Sequence, residues 1–292
     1  EDVLNATAEE YGGVKTFREG DDLSDDDNVD AVVLALPTCG RFDLALHAFD
    51  RGKHVLTEKP VAMNVDEVRR LMDARGDLTG ACCSSRFHAY PSIQAARELV
   101  ASGKLGQLRE VFFRCFGPAG GRPEKARPIW RLRRDLNGGG IMSNWGVYDL
   151  DTLLGITGWT LNPKTVFAKW WTIPETIASH IDPSSDAETH FTALIACEDG
   201  TVLHVERGEY MPIRGESAWQ IIGEKSALRV NMTGASGELV WHDELTEDEG
   251  VQTHVVYEGE FDGGIQHNFP VQDFAAAIRD DRWPATTLEK AL

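Results

Sequence analysis

The spacing of hydrophobic and polar residues divides the chain into two parts. In the first part, short continuous apolar runs alternate with segments whose apolar residues recur at helical spacing. Continuous runs are typical of parallel strands buried on both faces, and they lie at 29–36, 53–57 and 81–85. The helical segments are 41–51, 64–75 and 91–101. Strands that alternate with helices predict right-handed crossovers and an open, doubly wound parallel sheet.

After Gly106 the pattern becomes that of a mostly antiparallel open sheet. One helix is predicted at 141–155, after a loop at 117–140 that is rich in Pro, Arg and Gly, and another at 265–280. The predicted strands are 108–116, 165–171, 189–196, 201–209, 218–222, 227–230, 237–241 and 251–257. The change of pattern predicts an α/β domain at 1–105 followed by an α+β domain at 106–292.

Charge and composition exclude several classes of function. The chain carries 47 acidic and 29 basic residues, and its net charge of -18 repels nucleic acid and anionic membrane surfaces. Its apolar runs are shorter than the ~20 residues of a transmembrane helix. The five cysteines form no CxxC pair and the nine histidines no HxxxH or HxH pair. We therefore expect free thiols, a cytoplasmic location and no metal site.

One candidate site lies where two predicted parallel strands end. Open parallel sheets bind ligands at the carboxyl ends of their strands, here at Pro37-Thr38 and at Glu58-Lys59-Pro60. Pro60 rigidifies the backbone and favours an extended conformation for Lys59. From the residues alone, a surface lysine paired with Glu58 explains the motif somewhat better than a functional lysine does.

A second candidate site precedes and begins the helix at 141–155. Asn144, Tyr148 and Asp151 are spaced i, i+4 and i+7, which places them on one helix face. The glycines at 138–140 allow another part of the structure to approach the backbone closely. A flexible loop followed by a partly buried, hydrogen-bonded polar stripe is the alternative interpretation.

Taken together and in order, these motifs resemble the Gfo/Idh/MocA oxidoreductase family over nearly the whole chain. The matching segments are 29–33 with Pro37, 52–60, Arg86-Phe87, 99–106, Trp130-Arg131, 138–140, Gly146, Asp151, 191–200, 223–230 and 274–278. The resemblance implies a Rossmann domain that binds NAD or NADP, followed by a substrate domain. It also implies a sugar, polyol or cyclitol substrate and a homodimer or homotetramer formed through the C-terminal sheet.

The resemblance also assigns roles to individual residues. The cofactor-binding residues would be Pro37, Thr38, Glu58, Lys59 and Arg86, and the substrate-binding residues Trp130, Arg131, Asn144 and Asp151. Tyr148 would be the acid/base, and Asn144 would orient a sugar hydroxyl. Lys59 would bind the reacting oxygen and lower the pKa of the phenol, since a nearby ammonium stabilises phenolate.

The chain departs from the family pattern in two respects. It contains no GxGxxG turn, and residues 1–28 resemble the stretch that follows the family's second strand. We therefore expect about 40 to 50 residues of the N-terminal βαβ region to be missing from it. Many members carry Asp and His where this chain has Asn144 and Tyr148; tyrosine resembles the glucose-fructose oxidoreductase and sugar-dehydrogenase branches. Two alternatives stay open: a silenced nicotinamide- or sugar-binding regulator, and a lyase or hydrolase that uses transient oxidation by bound NAD.

Overall fold

A parallel sheet with flanking helices forms the N-terminal part of the computed structural model, which describes residues 2–125, 128–232 and 237–292. Within these residues the sheet has the order β1 (Ala31–Leu34), β2 (His54–Thr57), β3 (Gly80–Cys82). The accompanying helices are α1 (Asp2–Glu10), α2 (Gly20–Ser24), α3 (Arg41–Asp50), α4 (Val65–Arg75) and α5 (Pro91–Ala101). Asn64 accepts a hydrogen bond from the Glu67 amide at the start of α4, which is an N-cap in the expected place.

The third strand is shorter than the predicted strand at 81–85. It ends at Cys82, and Cys83–Ala89 forms a 3-10 helix. The hydroxyl of Ser84 donates to the Asp151 carboxylate at 2.7 Å, and that of Ser85 donates to the Cys82 carbonyl at 3.3 Å. Serine hydroxyls that bond outside a strand ladder favour turns. The strand thus begins at Gly80, one residue before the predicted start, and ends three residues before the predicted end.

The rest of the chain forms a mostly antiparallel sheet, as predicted. Its strands are β4 (Leu108–Pro118), β5 (Pro163–Trp171), β6 (His190–Cys197), β7 (Val202–Met211), β8 (Glu216–Gly223), β9 (Ser226–Asn231), β10 (Glu238–Thr246) and β11 (Gly250–Gly259). Among the described residues the order is β11-β10-β9-β8-β4-β7-β6-β5, and only the β4–β7 pair is parallel. The predicted loop at 117–140 contains a 3-10 helix, Ile129–Leu132, and α6 (Arg134–Asn137).

One face of this sheet is covered by helices, and this packing positions the candidate site. A π-helical turn, Met142–Gly146, runs directly into α7 (Val147–Ile156), which packs on the sheet beside α5. Phe113 and Ile221 from the sheet and Leu153 from α7 are at most 1% exposed. Burial of each such side chain contributes about 1.5–3 kcal/mol. None of the helices in the described ranges is both long and apolar enough to cross a bilayer.

The end of the chain returns to the first sheet. Helix α8 (Gly263–Arg279) places Phe274 against Leu56 of β2, and α9 (Leu288–Ala291) contributes Leu288 to the core of the parallel sheet. An antiparallel bridge joins Ala81 to Thr287. The boundary at 105/106 stays a prediction, and these contacts show that the last segment of the second predicted domain packs on the first.

Candidate active site

The two candidate motifs meet in the structure. Lys59 follows β2, and its peptide bond to Pro60 is cis. Its Nζ donates to the Asn144 carbonyl oxygen at 2.7 Å and to Asn144 Oδ1 at 3.1 Å. Asn144 lies in the π-helical turn, a feature found frequently at functional sites. One ammonium group therefore ties the end of a parallel strand to the start of the helix on the second sheet.

Lys59 is set up to exchange a proton near neutral pH. Burial lowers the pKa of its ammonium to about 8, because the charged form loses hydration. The carboxylate of Glu58 opposes this shift, whereas the positive charges of Arg86 and Arg131 add to it. A lysine with a pKa close to the working pH is suited to general acid–base catalysis.

Tyr148 lies directly beneath Lys59, but its pKa shifts in the direction opposite to the prediction. Its side chain is 3% exposed, with Lys59 Nζ 4.9 Å and the Arg86 guanidinium carbon 4.4 Å from the ring centroid. Burial raises the pKa of Tyr148 above its ordinary value, and the positive charge of Arg86 only partly offsets this. The prediction that a neighbouring ammonium lowers this pKa was therefore wrong, because desolvation of the phenolate outweighs the attraction.

An open cleft of about 330 Å³ surrounds the Lys59–Asn144 pair. Its lining consists of Ala35, Leu36, Pro37, Arg41, Glu58, Lys59, Trp130, Asn137 and Asn144. Most of the residues predicted for cofactor or substrate therefore share one concave surface. Arg131 does not line the cleft, although its charge reaches Lys59. Arg86 does not line the cleft either, but its guanidinium packs on the Tyr148 ring next to Lys59.

The structure places two predicted site residues, Thr38 and Asp151, in buried hydrogen-bond networks outside the lining of the cleft. Thr38 is fully buried, and its Oγ1 donates to Asn137 Oδ1 at 2.9 Å. Asp151 is 5% exposed and accepts hydrogen bonds from Ser84 at 2.7 Å and from Thr286 at 2.8 Å. Asp151 also pairs with the buried His88. Neither residue lines the cleft, and the contacts of Thr38 with the cofactor and of Asp151 with the substrate stay predictions.

The glycines at 138–140 pack closely against other residues of the same chain. A Cβ on Gly140 would lie 1.9 Å from the Glu188 carbonyl oxygen, and one on Gly139 would lie 2.4 Å from Ser143 Oγ. The Glu188 carboxylate accepts hydrogen bonds from the Gly140 amide at 2.9 Å and from the Met142 amide at 3.2 Å. It therefore caps the start of the helix. These glycines allow the helix that carries Asn144 to dock against the residues before β6.

Arg41 was missed by the sequence analysis. It is 2% exposed, and its guanidinium donates to the Glu58 carbonyl and to Thr38 Oγ1. The guanidinium of Arg41 also donates to the Lys59 carbonyl oxygen at 3.5 Å. Arg41 thus holds the turn after β1 against the Glu58-Lys59 backbone. Its position at the start of an amphipathic helix gave no signal, since such arginines are usually exposed.

Replacing Arg41 with methionine is expected to reduce the free energy of unfolding by about 1–3 kcal/mol, because the buried Thr38 hydroxyl and the part-buried Glu58 carbonyl each lose a charged donor. Urea denaturation monitored by circular dichroism measures this. Arg69→Met is the matched control, since the Arg69 side chain is 62% exposed. Equal unfolding midpoints for the two variants would show that Arg41 does not brace the turn.

Comparison with known families agrees with this geometry. Residues 2–82 match the family described as "Oxidoreductase family, NAD-binding Rossmann fold", and residues 93–229 match the "GFO/IDH/MocA C-terminal domain". The chain belongs to the Gfo/Idh/MocA family. The predicted family and fold class are therefore confirmed, and the N-terminal domain is the NAD-binding Rossmann domain of this family.

Relatives of this Gfo/Idh/MocA protein carry names of sugar enzymes. A 1,5-anhydro-D-fructose reductase from Ensifer adhaerens is 32% identical over 150 residues, which cover 51% of this chain and 44% of that protein. A D-xylose 1-dehydrogenase (NADP(+)) from Haloferax volcanii is 35% identical over 145 residues, covering 47% and 41%. The chain thus spans less than half the length of these two relatives.

The fold of this family member also matches solved structures. A levoglucosan dehydrogenase in complex with NADH and L-sorbose superposes with a TM-score of 0.82 at 15% identity, over 100% of this chain and 81% of that one. At this identity the match establishes the shared fold. It agrees with the observed order of a Rossmann-type domain followed by a large antiparallel sheet.

Proposed function

We propose that this protein is an NAD(P)-dependent oxidoreductase that acts on a hydroxyl-bearing carbon of a sugar, polyol or cyclitol. The observation that carries the proposal is Lys59, whose pKa of about 8 and contact with Asn144 place a titratable amine inside the cleft. The sugar enzymes among its relatives support the same substrate class.

The residues of the cleft fit the nicotinamide end of the cofactor. Leu36 and Pro37 form an apolar wall at the carboxyl end of β1, whereas Glu58 and Asn144 supply polar groups. A flat ring with one carboxamide needs this combination of apolar surface and a few hydrogen-bonding groups. When bound there, the nicotinamide would supply the hydride acceptor for alcohol oxidation.

Lys59 would take the hydroxyl proton during oxidation. The neutral amine accepts that proton, and the Asn144 oxygens then stabilise the ammonium that results. The raised pKa keeps Tyr148 a neutral phenol, so its ring supports the ammonium through the cation–π contact of 4.9 Å. Asn144 Nδ2 stays a donor that can orient a neighbouring sugar hydroxyl.

The test is a turnover assay with the purified protein. Aldoses and cyclitols are supplied with NAD and, separately, with NADP, and the nicotinamide absorbance is followed. Turnover with a sugar supports the proposal, and the preferred nucleotide identifies the cofactor. Cofactor binding without turnover of any sugar would favour a silenced regulator, and a copurifying cofactor that is never consumed would favour a lyase or hydrolase.

We also propose that two or more copies associate through the edge of the large sheet formed by β5. Every residue of β5 is exposed, including Phe167 at 76%, Val166 at 59% and Trp170 at 47%. Unprotected apolar edge strands promote aggregation unless something covers them. A second copy of the chain would cover this edge.

Phe167→Asp is expected to raise the dissociation constant of the oligomer at least about tenfold, because a carboxylate would be desolvated at the contact. Sedimentation equilibrium measures the mass distribution. Val251→Asp is the control, since Val251 is 63% exposed on β11 at the opposite edge. A monomeric wild-type protein, or equal weakening by both variants, would contradict the proposal.

A further inference from the structure

Glu188 is connected to the candidate active site without lining it. The residue lies directly before β6 and is 8% exposed, and it is not among the residues that line the cleft at Lys59. We propose that Glu188 is a positioning residue whose carboxylate holds the π-helical turn so that both oxygens of Asn144 face Lys59 Nζ. The inference deepens the proposed function and rests on it for the role of Lys59 in turnover.

A short series of hydrogen bonds connects Glu188 to Lys59. Glu188 Oε1 accepts from the Gly140 amide at 2.9 Å, and the Gly140 carbonyl accepts from the Asn144 amide at 2.9 Å. The Asn144 carbonyl then accepts from Lys59 Nζ at 2.7 Å. Hydrogen bonds in such a series polarise one another, so a change at Glu188 is transmitted to the oxygens that face Lys59.

Glu188 satisfies three consecutive amides at the start of the helix. Besides the Gly140 amide, its carboxylate accepts from the Met142 amide at 3.2 Å, and its carbonyl oxygen accepts from the Ile141 amide at 2.8 Å. Amides at a helix start have no partner within the helix, and the positive end of the helix dipole favours a carboxylate there. The position of Asn144, two residues after Met142, therefore depends on this carboxylate.

The backbone next to Glu188 is a fixed point from which the turn can be held. The Thr189 amide donates to the Trp171 carbonyl at 2.9 Å, and the Thr189 carbonyl accepts from the Glu209 amide at 2.8 Å. Trp171 belongs to β5 and Glu209 to β7, so the start of β6 is bonded on both sides. Functional groups held from a sheet are positioned more precisely than groups held from a loop.

Two substitutions of Glu188 separate the length of the side chain from its charge. Glu188→Asp keeps the charge but shortens the side chain by about 1.5 Å, so the carboxylate no longer reaches both amides. Glu188→Gln keeps the length and one acceptor oxygen but forms weaker, uncharged hydrogen bonds. Glu198→Asp is the matched control, because Glu198 is exposed at the other end of β6.

The direct readout is the titration of Lys59, followed by NMR of protein labelled with carbon-13 at the lysine Cε positions. The signal is assigned from its absence in Lys59→Arg. The Asn144 oxygens stabilise the ammonium, so displacing them lowers the pKa of Lys59. We expect the midpoint to fall by at least about 0.5 pH units in Glu188→Asp, by less in Glu188→Gln, and to stay unchanged in Glu198→Asp. These three variants keep the charged neighbours of Lys59, which are Glu58, Arg86, Arg131 and Arg41.

A role limited to charge or to stability gives a different result. If the carboxylate acted only through its charge, Glu188→Gln would shift the titration and Glu188→Asp would not. If it only stabilised the fold, both variants would melt at a lower temperature and keep the wild-type titration of Lys59. Either result overturns the proposal. Where Glu188→Asp does not fold, an unchanged titration in Glu188→Gln overturns it as well.

Kinetics separate this inference from the proposed function. We expect Glu188→Asp to lower kcat for sugar oxidation about ten- to a hundredfold, with little change in the Kd for NAD(P)H, because the reacting groups are displaced and the cofactor wall is not. A shifted titration in a protein that oxidises no sugar keeps the positioning role and refutes the proposed function. Sugar oxidation with an unshifted titration in Glu188→Asp refutes the positioning role and leaves the proposed function standing.

Discussion

Replacing Lys59 with alanine is expected to lower kcat for sugar oxidation about 10²–10⁴-fold, the usual contribution of a general acid or base. The amine lies in the cleft, bound to both oxygens of Asn144. Alanine removes the proton acceptor while leaving the Leu36–Pro37 wall in place. The effect should therefore fall on kcat more than on cofactor binding, which fluorescence titration of NAD(P)H measures separately.

The pH dependence tests the same assignment. Oxidation needs the neutral amine, whose fraction rises as the pH increases through the pKa of about 8. We expect kcat for oxidation to rise between about pH 7 and 9 and then level off, and the reverse reduction to fall over the same range, because it needs the ammonium. Lys59→Ala should lose this inflection. An identical inflection in the variant would assign it to another group.

Tyr148→Phe distinguishes the contribution of Tyr148 to turnover from that of Lys59. Burial raises the pKa of the phenol, so the hydroxyl is a poor base at neutral pH. Phenylalanine keeps the ring that faces Lys59 at 4.9 Å. The loss of kcat should thus be smaller than in Lys59→Ala. Near wild-type turnover in both variants would mean that neither residue carries the proton.

Gly140→Ala is expected to lower the free energy of unfolding by about 3 kcal/mol, at the upper end of typical overpacking costs. The added Cβ would lie 1.9 Å from the carbonyl oxygen of Glu188 and 2.8 Å from its carbonyl carbon. These are backbone atoms, and the Glu188 carbonyl oxygen also accepts a hydrogen bond from the Ile141 amide at 2.8 Å. The clash cannot be relieved by rotating a side chain, so the start of the helix must move.

Thermal and urea unfolding measure this loss, with Gly120→Ala as the control, since a Cβ on Gly120 would meet no atom within 4 Å. A second readout is activity, because movement of the helix start displaces Asn144 from Lys59. Equal melting temperatures for the two variants would contradict the proposed docking of the glycine run on Glu188.

Local patterns predicted the architecture well because they depend on short-range spacing. Continuous apolar runs identified the buried parallel strands, and their carboxyl ends located Lys59. The change of pattern after Gly106 predicted the mostly antiparallel sheet. The strand at 81–85 was overestimated because serine hydroxyls satisfied partners that lie far away in sequence, such as Asp151.

Helical spacing placed Asn144, Tyr148 and Asp151 on one face, but the structure separates their roles. The π-helical turn at Met142–Gly146 alters the rotation per residue at the start of the helix, so an ideal helical period no longer relates Asn144 to Asp151. Asp151 instead points to Ser84 and Thr286. A change of helical phase of this kind has no reliable signature in a single sequence.

The sequence by itself determined which residues could do chemistry: a lysine at a strand end, and an asparagine and a tyrosine one helical turn apart. Only the tertiary structure decided which of them holds a titratable proton near neutral pH. Burial lowers the pKa of Lys59 and raises that of Tyr148. Both shifts have the same cause, since removing water destabilises ammonium and phenolate alike, and the extent of that removal depends on packing between distant segments.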